Sequence, residues 1–223
     1  MFLPIGDENI ARGHTPYFSY GFIVLNIAIF IWQSTFPESG YNAFLRDYGM
    51  IPAEITVGID LETLLTSVFL HGDFMHLFGN MLYLWIFADN VEAVVGNFRF
   101  VVFYLLGGLA ASFAQIYIMP DSLIPNVGAS GAISAVLGAY LVMFPKSQIK
   151  VLFFVTIFYI PAIFFLGYWF VQQVIEGMGN LGPSAGKVAG VAWWAHIGGF
   201  VFGLLIGFYF RTRFVGYRFV EKK

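Results

Sequence analysis

The chain has 223 residues, of which 59% are hydrophobic and only 11% charged, whereas soluble domains carry about 25% charged residues. A net charge of −2 offers no footing for a nucleic-acid partner, and the lack of cysteine excludes disulfides, thiolate chemistry and cysteine-ligated metals. Mean hydropathy is +0.77, and apolar runs of bilayer length recur, so the composition predicts an all-α polytopic membrane protein.

The N-terminal stretch carries Asp7 and Glu8 and lacks the basic-then-apolar order of a cleavable signal peptide. Residues 1–17 are therefore read as a cytoplasmic tail. Six spans follow, at roughly 18–36, 74–91, 98–119, 130–144, 151–175 and 191–210. They make residues 18–210 a six-helix core and 211–223 a basic cytoplasmic tail. The long connection 37–73 is too apolar for a disordered linker, yet Gly49, Pro52 and Gly58 break it too often to span. Amphipathic pieces lying in the interface are expected there. The fourth span is short, since fifteen residues rise only about 22 Å against a hydrocarbon core of about 30 Å. Its start must lie below one surface, where the loop 121–129 dips in. Irregular backbone at that depth needs protein or a water-filled cavity around it. The connection 177–190 is small and glycine-rich, as a mobile cover over a site would be.

Basic residues set the orientation. With six spans, one face collects Arg12, Arg99, Lys146, Lys150, Arg211, Arg213, Arg218, Lys222 and Lys223, and the other only Arg46 and Lys187. The positive-inside rule then puts both termini in the cytoplasm. No further domain or targeting segment is read in the chain, so a multi-pass place in the plasma (inner) membrane is expected.

Against this apolar background a few polar residues stand out. His76 and Asn80 are four apart and share a face near the start of span two. Ser130 opens span four, and His196 lies one to two turns into span six. Spans two, four and six run in the same direction, so these residues share one depth near the outer surface. Polar groups at that depth are costly and face the bundle interior with a partner. Serine beside histidine makes a nucleophile and a general base. Asn80, His76 and the Ser130 backbone N–H, at a helix N-terminus, are candidate oxyanion donors. No carboxylate is placed to orient His196, so a dyad is expected. Gly199, Gly203 and Gly207 form a stripe on span six, and Gly131 and Gly138 lie on span four, where small residues let backbones approach.

Each feature also has a plainer reading. A serine among glycines commonly serves packing, as Ser112 and Ser134 are expected to do. A lone intramembrane histidine is usually hydrogen-bonded structure or part of an ion path. His71 is read as a brace for the loop border, and Glu92 as a cap or anchor at the inner end of span two. The constellation at shared depth, with the glycine stripe, favours catalysis.

The run HGDFMHLFGN (His71, His76, Asn80), GASG (Gly128 to Gly131) and AHIGGFVFG (Ala195 to Gly203), in that order on spans two, four and six, resembles the rhomboid family of intramembrane serine proteases. The resemblance implies that Ser130 is the nucleophile, His196 the base, and His76 and Asn80 the oxyanion residues, with support from His71, Gly128, Gly131, Gly199 and Gly203. It also implies transmembrane protein substrates within the lipid bilayer, lateral entry between spans two and five, and no cofactor or metal. Two departures from the family pattern stand out. A Trp-Arg pair that members often carry is Glu62-Thr63 here. A tyrosine four residues after the nucleophile is Ser134, which leaves His196 to be positioned by Trp193, Trp194 or water. The competing readings are a catalytically inactive rhomboid-like protein that binds membrane proteins, and a transporter with a His/Asn-lined path. The inactive group loses the serine or histidine, and a transporter needs polar residues through the full depth.

Overall fold

The computed structural model describes residues 2–8, 14–181 and 191–214. Most of the 177–190 connection, part of the N-terminal tail and the basic tail beyond 214 lie outside the described residues.

The fold is mostly helical. Five long helices, α1 (Tyr17–Gln33), α5 (Phe74–Val95), α6 (Asn97–Ile118), α8 (Ala162–Gly179) and α9 (Trp193–Arg213), pack with the shorter α7 (Ser130–Met143). Between α1 and α5 the chain forms α2 (Glu38–Tyr48), α3 (Pro52–Thr56), α4 (Thr63–Thr66) and a 3₁₀ turn at Ser67–Phe69, short pieces as the broken apolar pattern predicts. By length and composition, α6 and α9 are able to cross a membrane, whereas α1 and α7 are shorter apolar helices. In α5 the apolar run is diluted by His76, Asn80, Asp89, Asn90 and Glu92.

Helix ends are set both by local caps and by side chains reaching across the bundle. α5 starts where the Asp73 carboxylate accepts the His76 backbone N–H at 2.8 Å, an N-cap bond. It ends at Gly96, whose φ of 84° suits glycine and lets α6 begin one residue later. Glu92, fully buried, accepts from the Phe18 N–H, the Ser19 N–H and the Ser19 hydroxyl at 3.1, 2.8 and 2.6 Å. The carboxylate thus satisfies orphan amides at the start of α1, where the helix dipole favours negative charge. It caps α1 rather than the end of its own helix. At the start of α9, the Ala195 N–H donates to the Gln115 carboxamide of α6 at 3.3 Å.

The short α7 is the axis of the bundle, packed against α5, α6, α8 and α9 and buried along nearly its whole length. Its small residues make that possible. Gly107 of α6 faces Ala135, and Gly131 faces Ala111 of α6.

One element differs from the sequence reading. Residues 151–161, expected to begin the fifth span, are extended, and α8 starts only after Pro161. Strands β2 (Gln148–Phe153) and β3 (Thr156–Pro161) form a hairpin that turns at Phe154 and Val155. The N-terminal segment, read as a tail, adds β1 (Phe2–Gly6) antiparallel to β2. A continuous apolar run suits a helix or a strand equally, but Ile149 and Val151 are buried in the period-two pattern of a strand. The sheet is pinned to the helices by Asp7. Its Oδ2 accepts from Asn90 Nδ2 of α5 at 2.6 Å and from the Tyr140 hydroxyl of α7 at 2.5 Å. Glu8 accepts the Gln148 N–H at 3.0 Å.

Candidate active site

Four segments meet at one end of the bundle. The first-loop pieces are tied down before the site is reached. Thr66 Oγ1 donates to the Tyr48 carbonyl at 2.8 Å, and Met50 and Asn126 exchange backbone bonds of 3.0 and 2.8 Å. The Gly128 N–H donates to the Ser67 carbonyl at 2.9 Å. These bonds hold the loop 121–129, and with it the start of α7, against the 3₁₀ turn. They also hold a loop that lacks the Trp-Arg pair.

Ser130 is the first residue of α7, and His196 sits on the first turn of α9, only 9% exposed. Ser130 Oγ lies 2.8 Å from His196 Nε2, although 66 residues separate them. The helices carrying them touch through glycine. A methyl group on Gly199 would run into the Gly131 carbonyl oxygen, and one on Gly203 into that of Ala135. With side chains there, α9 would stand off from α7 and the Ser–His distance would open.

His196 is held on its other side by a residue the sequence reading passed over. Gln173 of α8, 5% exposed, places Oε1 at 2.8 Å from His196 Nδ1. Trp169, one turn earlier on α8, has its ring 6.0 Å from the imidazole, tilted by 33°, and Trp193 meets it edge-on at 6.1 Å and 87°. Trp193 was among the expected positioners; Gln173 and Trp169 were not. The available signal is a pair of carboxamides, Gln172 and Gln173, in a largely apolar helix, where a buried polar group is costly unless paired. Ser134 plays a different part, its hydroxyl donating to the Ser130 carbonyl at 2.7 Å.

His76 and Asn80 of α5 face the loop that leads into Ser130. A Cβ built on Gly128 would lie 2.6 Å from His76 Nε2 and 3.4 Å from Asn80 Nδ2. Gly128, at φ 118°, is therefore required twice, for its backbone conformation and for this approach. Asn80 is 7% exposed, and its Nδ2 has no hydrogen-bond partner among the described residues. A buried amide donor left unpaired costs stability, and a group of this kind in a native fold calls for a reason, a catalytic role among them. The first-turn amides of α7 lack intrahelical acceptors for the same geometric reason as at any helix start.

His71 lies just ahead of α5 and is fully buried. Burial, and secondarily the neighbouring His76, hold its imidazole well below the usual histidine range, at about 3, so it stays neutral at any physiological pH. Its ring meets His76 at 5.1 Å and 66°. Its carbonyl accepts from Gln33 Nε2 at 2.5 Å and the Tyr41 hydroxyl at 2.9 Å. The residue thus ties α1 and α2 to the start of α5 while backing His76.

The geometry invites comparison with known proteins. The Rhomboid domain family model matches residues 60–213. Rhomboid protein 1, mitochondrial, of Saccharomyces cerevisiae is 30% identical over 204 residues, covering 89% of this chain and 54% of that protein. Rhomboid protease GluP of Bacillus subtilis is 31% identical over 181 residues, 81% of this chain and 35% of its own length. The human presenilin-associated rhomboid-like protein, mitochondrial, is 26% identical over 190 residues, 82% of this chain and 46% of that protein. The chain thus spans about half or less of the length of these curated relatives.

Proposed function

The chain belongs to the rhomboid family, and from that premise we propose that it is an intramembrane serine endopeptidase cleaving transmembrane segments of other membrane proteins. The observation that carries the reading is the 2.8 Å contact between Ser130 Oγ and His196 Nε2, at the length of a nucleophile–base hydrogen bond.

In this mechanism His196 Nε2 takes the Ser130 proton as Oγ attacks the scissile carbonyl. The negative charge that develops on the carbonyl oxygen is met by the Asn80 amide, His76 and the Ser130 backbone N–H. His196 then passes its proton to the departing amine, leaving an acyl-enzyme. Water, deprotonated by the same imidazole, releases the acid. The unpaired Asn80 donor suits this role, because an oxyanion would supply the acceptor it lacks. The intact serine and histidine argue against an inactive binding protein. Inward of the site, α7 buries Val136, Leu137, Ala139 and Tyr140, a packed apolar layer where a transporter would need a polar path.

The same reading takes α1, α5, α6, α7, α8 and α9 as six spans around residues 18–210, with 1–17 and 211–223 cytoplasmic. The excess of basic residues on the inner face supports this orientation, with the site opening outward and substrate entering between α5 and α8. We place the protein in the plasma (inner) membrane on that charge pattern. Two of the relatives carry "mitochondrial" in their names, so family membership does not by itself choose the membrane.

A fluorophosphonate probe tests the assignment. Wild type should be labelled and should cleave a model transmembrane substrate, and Ser130→Ala should do neither. An unlabelled wild type that leaves every transmembrane substrate intact would refute the protease reading.

A further inference from the structure

The bonds around Gln173 determine which way its amide points. Its Nε2 donates to the Trp169 carbonyl one turn earlier at 3.2 Å, while Oε1 faces His196 Nδ1 at 2.8 Å. Flipping the amide would set Oε1 against the Trp169 carbonyl, two acceptors in contact. With Oε1 facing the ring, Nδ1 must carry the proton. Nε2 is then left with its lone pair directed at the Ser130 hydroxyl, as a base requires. The opposite tautomer would turn the Nδ1 lone pair toward Gln173 Oε1, two acceptors face to face, and leave that buried oxygen unpaired, which costs about 1–3 kcal/mol.

We propose that Gln173 is the positioning residue for His196, fixing the Nδ1–H tautomer and the ring orientation in place of a carboxylate. This rests on the protease reading above. Gln173 Oε1 accepts a hydrogen bond from Nδ1–H throughout the cycle, including when Nε2 is also protonated and the ring is cationic. A neutral carboxamide orients the base without adding a buried negative charge, which would be costly at this depth. The Trp169 and Trp193 rings flank the imidazole and limit its rotation about the same axis. Because Gln173 belongs to α8, the base is held in register only while α8 is seated against α9. His76 is the titratable neighbour that shares the site with His196.

Gln173→Met keeps length and apolar packing and removes the acceptor. Its kcat should fall about 10²-fold, the scale of a small misplacement of a reacting group, while KM changes little. In ¹⁵N-histidine spectra, wild type should show the Nδ1–H tautomer for His196, identified by its absence in His196→Ala. The Met variant should show a mixture with the Nε2–H form. Gln173→Leu repeats both measurements if the Met variant does not accumulate. Wild-type kcat in either variant, or an unchanged tautomer signature, would overturn the assignment. A wild type that neither labels with fluorophosphonate nor cleaves would remove the protease reading and this assignment with it.

Discussion

Gly199 of α9 lies so close to Gly131 of α7 that a single added methyl group would collide with the Gly131 carbonyl oxygen. Gly131 directly follows Ser130, and Gly199 lies one turn beyond His196. The contact therefore sets the distance between nucleophile and base. Gly199→Ala should push the helices apart, costing about 1–3 kcal/mol for overpacking and lowering activity by about 10²-fold through misplacement. Gly167 of α8 has nothing within 4 Å of a built Cβ, so Gly167→Ala should leave both thermal stability in detergent and turnover near wild type. Equal effects of the two substitutions would show that the glycine stripe does not set the site.

The two sides of the proposed reaction differ in how far each can be spared. His196→Ala removes the proton acceptor and should abolish turnover. Asn80→Ala removes one of several donors and should reduce kcat by about 10²–10³, as loss of one oxyanion donor does. Because Asn80 Nδ2 is unpaired among the described residues, the substitution should not cost stability. A single-turnover assay with a transmembrane substrate, beside a melting curve, separates these effects. Full activity in either variant would remove that residue from the mechanism.

The residues that meet at the site were legible because charge and polarity are rare here. In a chain this apolar, a histidine or asparagine inside a span needs a reason, and shared depth near three helix starts supplied one. Gln173 is not legible for the opposite cause: one carboxamide beside another, Gln172, in a long apolar stretch carries no sign of which partner it meets. The β2–β3 hairpin was hidden because its residues are as apolar as a span. Only the alternation at Ile149 and Val151 hinted at a strand, and β1 was invisible because its pairing partner lies about 150 residues away in sequence. Glu92, expected to cap or anchor the end of its own helix, instead serves the start of α1, a contact that depends on how the two helices pack.

The hairpin and β1 carry a pH dependence through Asp7. Burial, opposed by the Tyr140 hydrogen bond and reinforced by Asp89, raises its carboxyl to about 8 from an ordinary value of 3.8. The folded protein therefore holds this proton more tightly than the unfolded chain. The resulting stability is fully present below about pH 4 and is lost as pH rises to about 8, with a slope of up to about 1.4 kcal/mol per pH unit. Both bonds to Asp7 end on Oδ2, so Asp7→Asn can keep them with its carbonyl oxygen while removing the titration. Melting temperature in detergent should fall between pH 5 and 8 for wild type, and that component of the fall should be missing in Asp7→Asn. Parallel curves for the two proteins would show that Asp7 does not titrate in this window.

The proposed entry of substrate between α5 and α8 makes a demand that the Gln173–His196 bond turns into a test. Moving α8 far enough to admit a helix would also pull Gln173 from the base, so entry and chemistry must be separable events. The chain has no cysteine, and a pair introduced on the facing sides of α5 and α8 can be cross-linked without background. Locking α8 in place should block cleavage of a transmembrane substrate while leaving His196 oriented. Fluorophosphonate labelling of Ser130, which needs no helix to enter, should persist at close to its uncross-linked rate, and reduction of the cross-link should restore cleavage. Undiminished cleavage in the locked protein would rule out entry by this route. Loss of labelling together with cleavage would show that the lock distorts the dyad itself.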